Sequence, residues 1–422
     1  MLTLKPDNAQ KLLLDKHLNC TRFIYNQYVE EYLNCIKENR LPNYKDYQVL
    51  RAEHEFLKDS YAWTLQRVLC KFVQTNKINR TKRLKGQKVG LVQFKSKKSH
   101  SDYFYINNIK LSYNSASKAN SYLKIPKIGL VNFEHKNIKP EFLNGKIKFG
   151  IVKRTKTGEY KISLCIEVNK VYEDREENNH IGLDFSLRDF FVDSFGAKAP
   201  EFSTKRSKMK LLQKKIDSLN TSISEMRNKS KKKRKTSVKM YRLAMKRNKL
   251  YEKVHNVQLD YINKLSRDLC KHNELIVLEN LNLHEMSERT SYKDSKTSSK
   301  GGNHGKSVGL LQWSYFLTKL EENAEKFGNI IVYADKFFPS SQICSKCGEI
   351  HSEMKDVTKR TLKCKCGNII DRDYNSALNL LKFGETVVYN KSHQTLGKEL
   401  SEYKAFKCLD FQNQTLKLEL SI

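Results

Sequence analysis

Three acidic residues stand where solvation alone does not account for them. Asp184 follows Ile181-Gly182-Leu183, Glu279 follows Leu275-Ile276-Val277-Leu278, and Asp373 lies in Asp371-Arg372-Asp373, ahead of Tyr374-Asn375-Ser376-Ala377. A carboxylate within an apolar run is costly to bury unless it is paired or holds a cation. Carboxylate oxygens suit Mg2+, and two such ions can stabilise the attacking and leaving oxygens of phosphodiester cleavage. Each residue alone also has a plainer role: Asp184 ending a strand, Glu279 capping a turn, Asp373 capping a helix. Together, in a strongly basic chain, they favour convergence on two catalytic Mg2+. Asp371 competes with Asp373. A helix over residues 375–381 would leave the Asp373 side chain free near its start, so Asp373 is taken as the ligand. Asp371 and Arg372 are then groups behind the ligands or contacts to phosphate.

Four cysteines form a second constellation. Cys344-Ser345-Lys346-Cys347-Gly348 and Cys364-Lys365-Cys366-Gly367 are separated by sixteen residues. Two turn-like pairs of thiolates suit one tetrahedral, structural Zn2+ with no open position for chemistry. The metal would replace a core that so short a segment cannot build.

Composition narrows the partner. Lys and Arg number 79 against 46 Asp and Glu in 422 residues, a net charge of +33, which points to a polyanion such as nucleic acid. The remaining cysteines, Cys20, Cys35, Cys70, Cys165, Cys270 and Cys408, stand singly among apolar neighbours and read as reduced core residues of an intracellular, cytoplasmic protein. The first residues lack the pattern of a signal peptide, and no apolar run reaches ~18 residues, so no membrane partner is expected. Nothing calls for a small-molecule cofactor.

The elements that must position these groups follow from periodicity. Residues 9–83 carry apolar residues at three-to-four spacing, as in helices: Leu12, Leu13, Leu18, Phe23, Tyr25, Tyr28 and Tyr32, then Tyr61, Leu65, Val68, Leu69, Phe72 and Val73. Residues 92–168 hold short β-rich runs broken by turns, expected to form a small barrel. Residues 172–179 are polar and mark a boundary. A strand carrying Asp184 follows, with a hairpin partner at Phe190-Phe191-Val192. Residues 205–268 read as long basic helices with Lys231-Lys232-Lys233-Arg234-Lys235 at the turn between them. Buried strands are expected at residues 275–278 and 330–333, a loop at 286–305 and a helix at 310–327. His284, His304 and His351 are expected in surface or capping roles.

In this order the motifs Gly182-Leu183-Asp184, Val277-Leu278-Glu279-Asn280-Leu281, residues 337–348 (through Pro339, Cys344 and Cys347) and residues 366–377 resemble the TnpB family. These are transposon-encoded nucleases related to type V CRISPR effectors. The resemblance is strongest over residues 181–381 and looser over residues 20–27 and 60–66. It implies a multidomain α+β protein. A RuvC-type, RNase H-like α/β nuclease would be split along the chain at residues 180–340 and 371–384, with a zinc-binding insertion at 341–370. A first wedge strand (1–7, shortened), a helical recognition module (8–90) and a β-barrel wedge domain (91–179) would precede it, and a tail (385–422) would follow. It also implies guide RNA and double-stranded target DNA as partners, a short adjacent motif on the target, and catalytic roles for Asp184, Glu279 and Asp373. Base pairing would then read sequence while the protein holds the heteroduplex by its backbone. Gln66, Arg67, Lys71 and Gln74 are weak candidates for the adjacent motif, and Lys231, Lys232, Lys233 and Arg234, with the basic helices, for phosphate contact. The rival functions are an RNA-guided repressor that does not cut and a DNA transposase using three acids on the same fold.

Overall fold

The structure, a computed structural model, describes residues 1–97, 102–114, 121–134, 138, 140–168, 172–230, 238–280, 311–389, 405–410 and 417–418. The chain divides into two compact units, Met1–Asn169 and Lys170–Ile422. The expected basic turn (Lys231, Lys232, Lys233, Arg234), the loop at 286–305, His284 and His304 lie outside the described residues.

In the first unit a short strand β1 (Leu2–Lys5) precedes a long helix α1 (Asn8–Glu38), capped by Asp7 and Gln10 through reciprocal hydrogen bonds. Helices α2 (Tyr47–Glu53) and α3 (Ala62–Leu84) follow. Tyr28 of α1, Leu50 of α2 and Leu65 and Phe72 of α3 fill the core of this helical part, as the apolar stripes require. Strands β2 (Tyr103–Ile106), β3 (Lys110–Ser112), β4 (Tyr122–Ile125) and β5 (Gly129–Phe133), a single-turn helix α4 (Pro140–Leu143), and strands β6 (Lys146–Arg154) and β7 (Tyr160–Glu167) complete the unit. They form one seven-stranded sheet in the order β2-β6-β7-β1-β5-β4-β3. Short as it is, β1 occupies the middle, antiparallel to both β5 and β7. Among the described residues the outer strands β2 and β3 are not paired with each other.

The second unit is built on a sheet in the order β15-β14-β11-β10-β8-β9. Strand β8 (Asn179–Ser186) turns into β9 (Phe190–Asp193), and long helices α5 (Phe202–Ser230) and α6 (Val238–His272) lead to β10 (Asn273–Glu279). Helix α7 (Trp313–Phe327) returns the chain to β11 (Ile330–Ala334). A two-stranded hairpin, β12 (Thr361–Lys363) and β13 (Ile369–Asp371), opens into helix α8 (Arg372–Tyr389). Strands β8, β10 and β11 are parallel. Such strands are covered on both faces, which explains their unbroken apolar runs. In β10, Ile276 and Leu278 pack with α5, α6 and α7, whereas Leu275 and Val277 pack with Leu380 and Phe383 of α8. The tail, without recognisable motif in sequence, supplies β14 (Ala405–Asp410), antiparallel to β11, and β15 (Lys417–Leu418). Those two strands pair into this sheet, and α8 includes residue 384.

Two glycines let α8 approach the sheet. A Cβ at Gly182 would meet Ala377 O at 2.2 Å and Leu381 N at 2.7 Å, and one at Gly384 would meet Val277 Cγ2 at 2.2 Å. The backbone atoms facing Gly182 have nowhere to retreat. Gly182→Ala should therefore lower stability by about 2–3 kcal/mol in chemical denaturation; unchanged stability would show that α8 does not sit this close.

The single cysteines divide by exposure. Cys20, Cys35 and Cys270 are buried and Cys408 partly so, but Cys70 and Cys165 are exposed, contrary to the core expectation. An apolar neighbourhood in sequence does not specify which way a helix or pleat turns one residue. All ten cysteines are free thiols, and no described helix is long and apolar enough to cross a membrane.

Candidate functional site

Alternation along the sheet decides which side chains meet. In β8, Ile181 and Leu183 point into the core with α5–α7. Gly182 and Asp184 therefore face α8. Val277 pairs with Gly182 and Leu278 with Leu183, so Glu279 falls one step further on the α8 face, at the same end of the sheet as Asp184. This is the carboxyl end of the parallel strands, where open α/β sheets place their ligand crevices.

Helix α8 brings the third acid and a pair of hydroxyls. Ser376 Oγ donates to Asp184 Oδ1 at 2.8 Å and lies 2.8 Å from Ser340 Oγ; Ser340 Oγ in turn donates to Glu279 Oε1 at 2.5 Å. A buried chain of two serines thus links two carboxylates distant in sequence. Among the described residues no hydrogen bond engages Asp184 Oδ2 or Glu279 Oε2. Burial first, then the neighbouring Glu279, holds the Asp184 carboxyl well above the usual carboxylate range. Burial also raises Glu279, against the Ser340 hydrogen bond and the Arg372 charge. Asp373 is half-buried in the first turn of α8, and its carboxyl is also raised, first by burial, against Arg360 3.3 Å away.

Asp371 turns out to be the helix cap. Its Oδ1 accepts from the backbone amides of Asp373 at 2.9 Å and Tyr374 at 3.2 Å. Arg372 donates to Asp356 O and to Ser341 Oγ, and its charge reaches both Asp184 and Glu279. Asp371→Ala should cost about 1 kcal/mol of stability in a denaturation series, the usual value of an N-cap. A loss of several kcal/mol there would assign Asp371 a larger structural role.

The four cysteines come together as their spacing predicts. One ligand atom from each of Cys344, Cys347, Cys364 and Cys366 lies within 4.8 Å of the others, with Cys344 Sγ 3.7 Å from Cys366 Sγ and Cys347 Sγ 3.4 Å from Cys364 Sγ. Gly348 and Gly367 have φ of 83° and 82°, the left-handed region their turns require. Burial raises the Cys344 thiol, but Asn368 Nδ2 and the amides of Cys347 and Lys346 outweigh it and bring it down to about 6. The lowered Cys344 thiol suits zinc, whereas without a metal Cys347 and Cys364 are raised, with burial among the causes. The surrounding core is small: Met354 and Leu362 beside the cysteines, with Ile370 against them. Buried amides staple this segment to α8. Asn375 accepts from Ser345 N and donates to Ile343 O, and Asn379 Nδ2 donates to Ser340 O and Ile343 O.

Gln66, Arg67, Lys71 and Gln74 lie on α3 in the first unit. The Arg67 guanidinium stands 6.0 Å from the ring centres of both Trp63 and Tyr105. Lys71 Nζ contacts Gln74 Oε1 at 2.9 Å and lines a cleft of about 300 Å3 together with Tyr25, Lys95, Tyr103 and Tyr105. On α5 and α6, Met209, Leu212, Ile216 and Val254 face inward, leaving Lys208, Lys210, Lys214, Lys215, Lys246, Lys249 and Lys253 exposed. Ser340, Ser376, Asn375 and Asn379 were not singled out from the sequence. Their burial beside an acid or a knuckle is a tertiary fact, and in the chain they read as loop and helix-start residues.

Three family models match: "Helix-turn-helix domain" over residues 2–40, "Probable transposase" over 163–290 and "Cas12f1-like, TNB domain" over 313–380. A protein of Streptomyces pristinaespiralis whose name calls it an RNA-guided DNA endonuclease is 23% identical over 233 residues, 55% of this chain and 52% of its own length. A TnpB-like protein of Acanthamoeba polyphaga mimivirus is 27% identical over 225 residues, 51% of this chain and 39% of its own. The chain thus spans about half or less of these relatives' length. A cryo-EM structure of a Cas12f1–sgRNA–target DNA complex aligns over 87% of this chain and 82% of that one, with 16% identity and a TM-score of 0.48.

Proposed function

We propose that this chain, TnpB-like in each of the stretches just described, is an RNA-guided DNA endonuclease whose second unit is a split RuvC-type, RNase H-like nuclease. The observation that carries the reading is the meeting of Asp184, Glu279 and Asp373 at one end of the sheet, from three separate parts of the chain. Acids that are buried or half-buried and have raised proton affinity form a site that gains by holding cations. Two Mg2+ held there would supply Lewis-acid stabilisation to the attacking and leaving oxygens of a scissile phosphodiester.

The residues of the chain do the positioning. Strands β8 and β10 hold Asp184 and Glu279 rigidly, and the Ser376–Ser340 hydroxyls fix the rotation of both carboxylates. Asp373, on the more open side and loosely paired with Arg360, closes the site. Arg372 balances part of the negative charge. The exposed lysines of α5 and α6 form a phosphate-binding face, and the four cysteines hold one structural Zn2+. A guide RNA and double-stranded DNA are the partners that the relatives' names and the net charge of +33 support.

The test is cleavage of plasmid DNA carrying a guide-matched target beside a randomised flank, using the protein co-purified with its flanking RNA, with Mg2+ or EDTA. Guide- and Mg2+-dependent double-strand breaks are expected. Guide-dependent binding without cutting would make the protein a repressor, and no guide dependence at all would return the transposase reading.

A further inference from the structure

Beside the four-cysteine site, a second group of potential ligands shares one of its thiols. Ligand atoms of Glu349, His351 and Cys364 all lie within 4.8 Å of one another. His351 is only 8% exposed, and its Nε2 has no hydrogen-bond partner among the described residues. The nearest carboxylate, Glu349 Oε2, is 4.0 Å away, and the Cys364 thiol donates to that same Oε2 at 3.2 Å. A buried, orphaned ring nitrogen is costly. It is also fully set up to ligate. His351 Nδ1 sits 3.1 Å from Glu353 Oε1, an arrangement that puts the proton on Nδ1 and leaves the Nε2 lone pair free to ligate. Metal-binding histidines are oriented by a carboxylate in the same way. The backbone adds rigidity, since His351 N donates to Gln342 O at 2.8 Å and its carbonyl accepts from Met354 N at 3.0 Å.

We propose that Glu349, His351 and Cys364 form a second zinc-type cation site, with the Cys364 thiolate bridging to the ion of the four-cysteine site. The donor set of one oxygen, one imidazole nitrogen and one sulfur suits Zn2+ better than Mg2+. The Glu349 side chain is 44% exposed, so solvent reaches the fourth position. With three ligands, one of them shared, the second ion binds more weakly than the first and braces residues 349–355 against the β12–β13 hairpin. The proposal rests on the four-cysteine site holding zinc.

The full chain, stripped of metal under reducing conditions, would be titrated with Co2+ and followed by its optical spectrum, with zinc content measured in parallel. The wild type should show two successive classes, a four-thiolate spectrum and then a second equivalent with mixed nitrogen, oxygen and sulfur character. His351→Ala and the exposed-site variant Glu349→Gln should keep the first class and lose the second, and Glu353→Gln should weaken the second about 10–100-fold. A single class in the wild type, unchanged in His351→Ala, would overturn the second site and leave the first standing. Loss of the first class in His351→Ala would make the histidine a ligand of one shared ion and also overturn it. No cobalt bound by the wild type would remove the four-cysteine reading itself.

Discussion

Asp184→Asn should reduce guide-directed DNA cleavage by roughly 10^2–10^3-fold or more, the scale on which a lost transition-state electrostatic contact is felt, while leaving RNA binding in place. The same change should stabilise the metal-free protein. Asp184 is buried, and its folded-state pKa is raised above the unfolded value of about 3.9. A carboxyl of that kind contributes most below the unfolded pKa, and the contribution is lost as pH rises through the folded one. Above about pH 4, then, the wild type carries a penalty that an asparagine, still able to accept from Ser376 Oγ, does not. Thermal denaturation should show the variant melting higher than wild type in EDTA at neutral pH. Mg2+ should raise the melting temperature of the wild type but hardly move the variant. An Asp184→Asn protein that cuts normally would remove the triad from the mechanism. Equal melting in EDTA would mean that the buried carboxylate carries no strain to release.

Cys344→Ala should release the structural zinc and lower stability and cleavage together. Zinc binding in modules this small is on the order of 10 kcal/mol of folding free energy. The local core that would remain is little more than Met354, Leu362 and Ile370. Melting residues 341–370 would also strip Asn375 and Asn379 of their partners at Ser345 and Ile343, at about 1–3 kcal/mol for each group left unsatisfied. Ser340, which orients Glu279, directly precedes the melted segment and would be loosened with it. Zinc analysis, denaturation and the cleavage assay on one preparation would check this. A zinc-free Cys344→Ala protein of wild-type stability would defeat the structural role, and one that is unstable yet fully active would uncouple the cysteine site from the acids.

Much of the second unit was legible. The apolar runs before Asp184 and Glu279 marked buried parallel strands because both faces of such strands are covered, and period-2 alternation then set the side on which each acid lies. The cysteine pairs and their glycines were equally plain, since a tetrahedral site needs two short turns and little else. Asp371 and Asp373 were separable only by the position of one helix start. The structure caps α8 with Asp371 and pairs Asp373 with Arg360; Asp373 as the ligand remains the proposal.

Other features had no local signature. The closure expected of the first sheet depends on long-range pairing of its outer strands, which no local pattern in the sequence specifies. The tail looked featureless because its strand β14 is recognised only by its long-range pairing with β11. The exposed Cys70 and Cys165 resembled core residues because neighbourhood in the chain is not neighbourhood in space. What the sequence by itself determined is the identity of the acids and thiols and the strands and turns that carry them, since these follow from local burial cost and ligand chemistry. Only the tertiary structure decided that Ser376 and Ser340 bridge Asp184 to Glu279, that Gly182 lets α8 come close enough for this, and that Glu349 and His351 gather beside Cys364. Those are contacts between residues tens to nearly two hundred positions apart, set by the packing of one helix and one hairpin against one sheet.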